Sequence, residues 1–337
     1  MKLLLIGDMH LQSSKFELAK SFLYWIKTQV EELQPDLVVN LGDTMHNHSV
    51  LRAEILGEYK KHLIDITALC PYIHILGNHE MWKPTDSTYH ALQAFAGMEN
   101  LIIADKIIHN KSAGISFVPY QPDHSKFPKK TLPICIAHQT FVGADFGSYR
   151  PDDGVDADSI ENEIIISGHI HGRQMFGKVI YPGTPFAQGL DDANKSKGIM
   201  IFDTETYKYS FIESPFPRWY SLSFEIGQDL NFQQLHEELV NTLTEGDNWV
   251  IDISGQKNEI AAYMDSKEFN ELKKGKLIRI RPIYTNLIKN DRVKINAVSM
   301  QDILGEYISK VYDGVLDKDL LREETIRILN DINVLDV

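Results

Sequence analysis

EIIISGHIHG occupies residues 163–172. Three isoleucines and a serine run into Gly-His-Ile-His-Gly, and so short and continuous an apolar run reads as a strand buried on both faces. Positions i and i+2 of extended backbone face the same way, so His169 and His171 can present their rings to one small space. Gly168 and Gly172 admit backbone angles that other residues resist, and they let the chain approach a site closely. A strand with polar, metal-capable residues at its carboxyl end belongs in a layered α/β domain, where functional groups gather at strand ends.

The pattern recurs along the chain. KLLLI (2–6) is followed by Gly7-Asp8-Met9-His10, DLVVNL (36–41) by Gly42-Asp43, YIHIL (72–76) by Gly77-Asn78-His79-Glu80, and ICIA (134–137) by His138. Amphipathic stretches alternate with these runs. FELAKSFLYWIKTQVEEL (16–33) predicts a helix with Phe22, Leu23, Ile26 and Val30 on one stripe, ended by Pro35. A second helix is expected over 50–69 and a third over STYHALQAFAG (87–97). Strand-like runs then dominate, at 114–120, 132–138, 163–168, 178–183, 198–204 and 207–213. The prolines of SPFPRW (214–219) mark a boundary. Beyond them, strands at 218–226, 249–255 and 276–284 with a helix at 231–243 predict a smaller α/β unit. Two amphipathic helices, separated near Asp313–Gly314, are expected from Ser299 onward.

Composition sets limits on this layout. A chain of 337 residues with 43% hydrophobic and 10% aromatic residues can bury a large core plus a smaller one. Cys70 and Cys135 read as free thiols in a reducing setting. The apolar stretch in MKLLLIGDMH is too short for a secretory signal, and no run approaches membrane-spanning length, so a soluble cytoplasmic protein without membrane contact is expected. A net charge of −13 argues against a protein that coats nucleic acid. The charge is uneven, however: 151–163 carries six acids and no base, and 273–294 carries eight bases and one acid. Arg279 and Arg281 alternate onto one strand face, a candidate contact to a phosphate backbone.

Carboxylate, imidazole and amide groups together suit Mn²⁺, Fe²⁺ or Zn²⁺ and not a thiolate-built structural zinc site. Asp8, His10, Asp43, Asn78, His138, His169 and His171 are too many for one tetrahedral ion and suit two. A carboxylate such as Asp43 can bridge two ions roughly 3.5–4 Å apart, which activates a water and clamps phosphate oxygens.

The ordered set GDMH, GD, GNHE, AH and GHIHG resembles the calcineurin-like metallophosphoesterases. The resemblance implies a two-sheet sandwich flanked by helices with two metal ions at the strand ends. It implies Asp8, His10, Asp43 and His171 around one ion, and Asp43, Asn78, His138 and His169 around the other. His79 would then stand beside the phosphate as the catalytic group, stabilising charge and protonating the leaving oxygen.

VIYPGTPFAQGLDDANKSKGIMIFDTET (179–206) is similar to the Tyr-Pro-Gly-Ser/Thr-Pro and Lys-Gly segment of SbcD-type DNA repair exonucleases. That resemblance implies a nuclease domain over 1–215, a capping, DNA-binding domain over 216–296, and a helical segment over 297–337 that grips an SMC-like ATPase of the SbcC type. It also implies Mn²⁺, a DNA substrate, a homodimer, and phosphodiester hydrolysis by a two-metal-activated water. Gly-Asp-Thr-Met-His departs from the subfamily's Gly-Asp-x-Phe-Asp, placing His46 where an acid is usual, and GNHE replaces GNHD. The alternatives are a stand-alone phosphoesterase for a small nucleotide or cyclic nucleotide, and an inactive scaffold on the same fold. His62, His74, His90, His109, His124 and His236 lack the strand-end context and read as structural. His48 lies closer to the motifs.

Overall fold

In the computed structural model the described residues are 1–48, 50–147, 153–226, 231–244, 246–274 and 276–284. Strand β1 (Lys2–Ile6) leads to helix α1 (Phe16–Leu33), β2 (Leu37–Asn40), α2 (Ala53–Thr67) and β3 (Tyr72–Ile75). A small hairpin, β4 (Met81–Lys83) and β5 (Asp86–His90), precedes β6 (Leu101–Ala104), β7 (Ile108–Asn110) and β8 (Ile115–Val118). Then come β9 (Ile134–His138), β10 (Ile164–Gly168), β11 (Gln174–Phe176), β12 (Val179–Tyr181), β13 (Gly198–Asp203) and β14 (Tyr209–Glu213).

These strands form two six-stranded sheets, ordered β14-β13-β1-β2-β3-β6 and β11-β12-β10-β9-β8-β7. Each has a parallel centre and an antiparallel margin: β1, β2, β3 and β6 run parallel in the first, and β8, β9, β10 and β12 in the second. The period of two along a strand assigns the faces. Leu3 and Leu5 of β1 pack between the sheets with Val39, Ile75, Ile136 and Ile166. Leu4 and Ile6 face the other way, onto Phe22 and Ile26 of α1 and Tyr59 and Leu63 of α2. The chain is therefore a mixed α/β sandwich with both long helices against the first sheet. Among the described residues, the outer face of the second sheet is covered by loop residues such as Phe127, Phe141 and Ile160.

The helix expected over 87–97 is replaced by β5 and a 3-10 turn at Ala91–Phe95. Thr88 and Tyr89 favour extended backbone, and pairing of Met81 with His90 and Lys83 with Asp86 gives that backbone its partners. Asp86 accepts from the Thr88 N–H at 2.9 Å at the start of β5.

After Pro217 the chain builds a three-stranded parallel sheet, β15 (Trp219–Glu225), β16 (Asn248–Gly255) and β17 (Leu277–Tyr284). Helix α3 (Phe232–Thr242) packs on it with α4 (Lys257–Met264) and α5 (Lys267–Leu272), around Leu235, Ile251, Ile253, Ile260 and Phe269. The last two helices had no counterpart in the sequence reading, although Ser266 caps the Phe269 N–H at 3.1 Å. Arg281 is held by Asp252 through bonds of 2.6 and 2.9 Å, and Arg279 lies 5.7 Å from the Trp219 ring, so Arg281 of the basic strip is already neutralised within the sheet. Residues 285–337, including the part of that strip beyond Tyr284 and the expected C-terminal helices, lie outside the described residues. No helix among the described residues is long and apolar enough to cross a membrane.

Candidate metal centre

Parallel strands of both sheets end at the same place. Asp8 and His10 follow β1, Asp43 follows β2, Asn78 and His79 follow β3, His138 closes β9, and His169 and His171 follow β10. The β1 and β2 loops are joined by backbone bonds from His10 N to Asp43 O (3.0 Å) and from Leu11 N to Thr44 O (2.7 Å). The His169 N–H donates to Asp8 Oδ1 at 2.8 Å, which ties the second sheet to the first.

Three of these residues adopt the left-handed region that non-glycine residues avoid: His10 (φ 43°), Asp43 (φ 51°) and His169 (φ 87°). Each such residue costs about 1–3 kcal/mol, and the surrounding bonds hold it there. The backbones also come too close for side chains. A Cβ on Gly168 would lie 2.5 Å from the Leu41 carbonyl oxygen, and one on Gly77 would collide with the Asp43 carboxylate.

The ring and carboxylate atoms converge. His10 Nε2 and His171 Nε2 face each other at 2.9 Å. His169 Nδ1 lies 2.9 Å from Asn78 Oδ1 and 3.2 Å from His138 Nε2. His138 Nε2 is in turn 3.3 Å from Asp43 Oδ2 and 3.2 Å from Asn78 Oδ1. Asp43, His138 and His169 bring ligand atoms within 4.8 Å of one another, as do His10, Asp43 and His79. The seven candidate ligands are thus gathered, with His79 beside them, its Nε2 4.0 Å from Asp43 Oδ2.

Electrostatics and orphaned atoms describe the same need. Asp8 Oδ2 and His10 Nδ1 are buried without a hydrogen-bond partner, a state that costs free energy unless something else supplies the partner. His138 donates Nδ1–H to the Leu41 carbonyl at 2.7 Å, so Nε2 faces the centre. Burial works against a proton there, yet the carboxylates of Asp43 and Asp8 outweigh it and push the imidazole up to about 9. Positive charge is thus drawn into the cluster. Burial, reinforced by His138, takes His169 down to about 3, and burial holds His10 well below the usual imidazole range. Burial opposes the charge on Asp43, but His138 overrides it and holds the carboxyl far below the usual range. Buried carboxylates drawing positive charge, two imidazoles kept neutral by burial and an unpartnered Asp8 oxygen fit divalent cations.

Several groups that hold the cluster in shape were not read from the sequence. Glu80, 1% exposed, accepts from the backbone N–H groups of Asp43 (2.9 Å), Thr44, Met45 (3.1 Å) and Gly77 (3.0 Å). One carboxylate therefore fixes the turns after β2 and β3 together. The GNHE motif was the available signal. Beneath the same turn, His74 joins Thr44 Oγ1 (3.1 Å) to the Tyr59 hydroxyl (3.0 Å), so this structural histidine supports the Asp43 loop. Lys197, 1% exposed, donates to Asp192 (2.6 Å), Thr184 (2.6 Å) and the His171 carbonyl (3.0 Å), pinning the His-x-His turn to the 184–192 segment.

His79 is oriented by its neighbours. Its Nδ1–H donates to the His46 carbonyl at 2.7 Å, and the His48 ring stacks on it at 4.2 Å. The His46 ring itself lies 5.7 Å from that of His10. Of the remaining histidines, His62 is buried in the first core, and His90, His109, His124 and His236 pair locally with Asp105, Ser116, Asp153 and Tyr263.

Strand-end carboxylates and imidazoles meeting at the edge of a double sheet define a metal-dependent phosphoesterase centre, and residues 1–173 match the calcineurin-like phosphoesterase family. The chain belongs to that family. It is 23% identical over 286 residues to 078R of Invertebrate iridescent virus 3, which is named for a phosphoesterase, covering 80% of each chain. It is also similar to exonuclease subunit 1 of Enterobacteria phage T4, at 21% identity over 271 residues, covering 77% of this chain and 75% of that protein. An uncharacterized metallophosphoesterase of Campylobacter jejuni matches at 23% over 183 residues, covering 52% of this chain and 45% of the relative. The family uses divalent metal ions, and the chain is a metal-dependent phosphoesterase.

Proposed function

We propose that the chain is a Mn²⁺-dependent DNA nuclease of the SbcD type, working with an SMC-like ATPase in repair or recombination. The carrying observation is that Asp8, His10, Asp43, Asn78, His138, His169 and His171 meet at the strand ends beside an open cleft, with Asp8 Oδ2 buried and unpartnered. Similarity to a phage exonuclease subunit directs that chemistry toward nucleic acid. Asp8, His10, Asp43 and His171 would hold one cation, and Asp43, Asn78, His138 and His169 the other. When bound, the cations supply Lewis acidity toward phosphate oxygens and a lowered pKa for water.

The rest is done by the chain. Because Nδ1–H of His79 is committed to the His46 carbonyl, its Nε2 is the atom turned to the cleft. Protonated, Nε2 can donate to a phosphate oxygen and then release its proton to the departing alkoxide. The backbone N–H of His79 bonds Asp43 Oδ1 at 2.8 Å, which ties the position of His79 to that of the Asp43 carboxylate. The third sheet adjoins this cleft: Asn194 bonds the Trp219 carbonyl at 2.9 Å, and its neighbours Asp191, Asp192 and Lys195 line the cleft wall.

The test is hydrolysis of linear DNA and of bis-p-nitrophenyl phosphate by the purified chain with Mn²⁺. His79→Ala should lose about 10²-fold or more on both. Cleavage of the small ester but never of DNA, with or without an ATPase, would leave a stand-alone phosphoesterase. Removing residues 299–337 should abolish ATPase capture while the small-ester activity stays.

A further inference from the structure

The cleft does not end at the metal centre. On one side a trough of about 600 Å³ reaches Asp191, Asp192 and Lys195. On the other a second trough of about 790 Å³ is lined by Tyr120, His124, Ser125, Thr140 and Phe146. His169 and Phe146 border both, so the two are lobes of one channel passing over the centre. Each has the volume of a small-molecule site.

The second lobe is aromatic where it meets the centre. The Tyr120 ring lies 5.5 Å from that of His169, tilted by 31°, and 6.0 Å from that of His138. Phe146 approaches His169 from another side, at 6.2 Å and 85°. Tyr120 is carried on rigid backbone, its N–H bonded to the Leu76 carbonyl at 2.9 Å, directly after β8. The lobe's charges are wrong for a phosphate: Asp123 and Asp153 line it away from the centre, and His124 is already bonded to Asp153 at 3.1 Å. Carboxylates can instead accept from the exocyclic amino groups of bases.

We propose that the Tyr120–Phe146 lobe is a nucleobase subsite, holding the base of the nucleoside esterified to the reacting phosphate. It rests on the reading of the chain as acting on nucleic acid, and it names which part of the substrate goes where. A base has two π faces, and the aromatic edges beside His169 are placed to take one. Stacking of this kind is insensitive to sequence, as an exonuclease requires.

The experiment uses the Mn²⁺-loaded full chain hydrolysing methyl p-nitrophenyl phosphate, a substrate without a base. Deoxycytidine 3′- and 5′-monophosphates, whose base carries an exocyclic amino group, compete, with 2-deoxyribose 5-phosphate as the base-free reference. The tighter nucleotide should inhibit at least tenfold more strongly than the sugar phosphate. In Tyr120→Ala and Phe146→Ala that ratio should fall at least threefold, with Tyr120→Leu replacing an unstable alanine variant. Equal inhibition in the unaltered chain overturns the subsite. So does a ratio that neither variant moves, or a variant that weakens both inhibitors alike, since the rings would then serve the metal centre and not the base. Base preference without DNA cleavage would remove the nuclease reading and leave the subsite standing.

Discussion

Replacing Glu80 by Gln tests the most economical element of the centre. The native carboxylate accepts four backbone N–H groups, from Asp43, Thr44, Met45 and Gly77, two on each oxygen. An amide offers one oxygen, so an NH₂ group would face two of those donors. Two buried donors left without acceptors cost about 1–3 kcal/mol each, or about 2–6 kcal/mol together. One effect opposes this. Burial and the Asp43 charge already push Glu80 up to about 7, so neutralising it removes some repulsion near neutral pH. The donors win, because among the described residues Glu80 is the acceptor given to each of them. The same bonds set the turns that carry Asp43 and Asn78, so metal affinity should fall about 10–100-fold, as for other groups that orient ligands. Thermal unfolding with and without Mn²⁺, paired with calorimetric titration, reads both effects. The variant should unfold several degrees lower, and metal should stabilise it by about 1.4–2.7 kcal/mol less. Glu80→Asp keeps the charge and should lose less. Wild-type midpoint and metal affinity in Glu80→Gln would refute the role given to this carboxylate.

Lys197→Met leaves Asp192 buried without its cation and frees the His171 carbonyl, so about 3–5 kcal/mol of stability should be lost, measured by urea unfolding. Gly168→Ala forces a Cβ against the Leu41 carbonyl and should cut phosphoesterase activity more than a hundredfold while circular dichroism stays near normal. Acid should destabilise the fold through two core histidines. Burial holds His74 down to about 3 and His62 to about 4, against 6.5 when unfolded, so the unfolded chain binds more protons below pH 6.5. Stability is complete above that value and falls by about 1.4 kcal/mol per pH unit for each group toward pH 4. His62→Phe should lower the slope of stability against pH below 6.5 by up to about 1.4 kcal/mol per pH unit in urea unfolding; an unchanged slope would count against it.

The sequence alone determined nine of the twelve sandwich strands, the two long helices and seven metal-capable residues at strand ends, because each signal is local; the short β6, β7 and β11 had no counterpart in the reading. A buried strand is a short apolar run, a helix has its 3.6-residue stripe, and a ligand-bearing turn has glycine beside Asp, Asn or His. The hairpin at 81–90 was misread because Ala91, Leu92 and Phe95 imitate one helical turn, while the pairing that decides it lies across the turn. What only the tertiary structure decided was the meeting itself. His10 and His171 are 161 positions apart, yet their Nε2 atoms are 2.9 Å apart. Glu80, His74 and Lys197 looked like ordinary residues until burial removed water and left each one the available partner for particular backbone and side-chain groups. Local propensity writes the strands. Desolvation, which acts only once the two sheets have closed, assigns their polar ends a task.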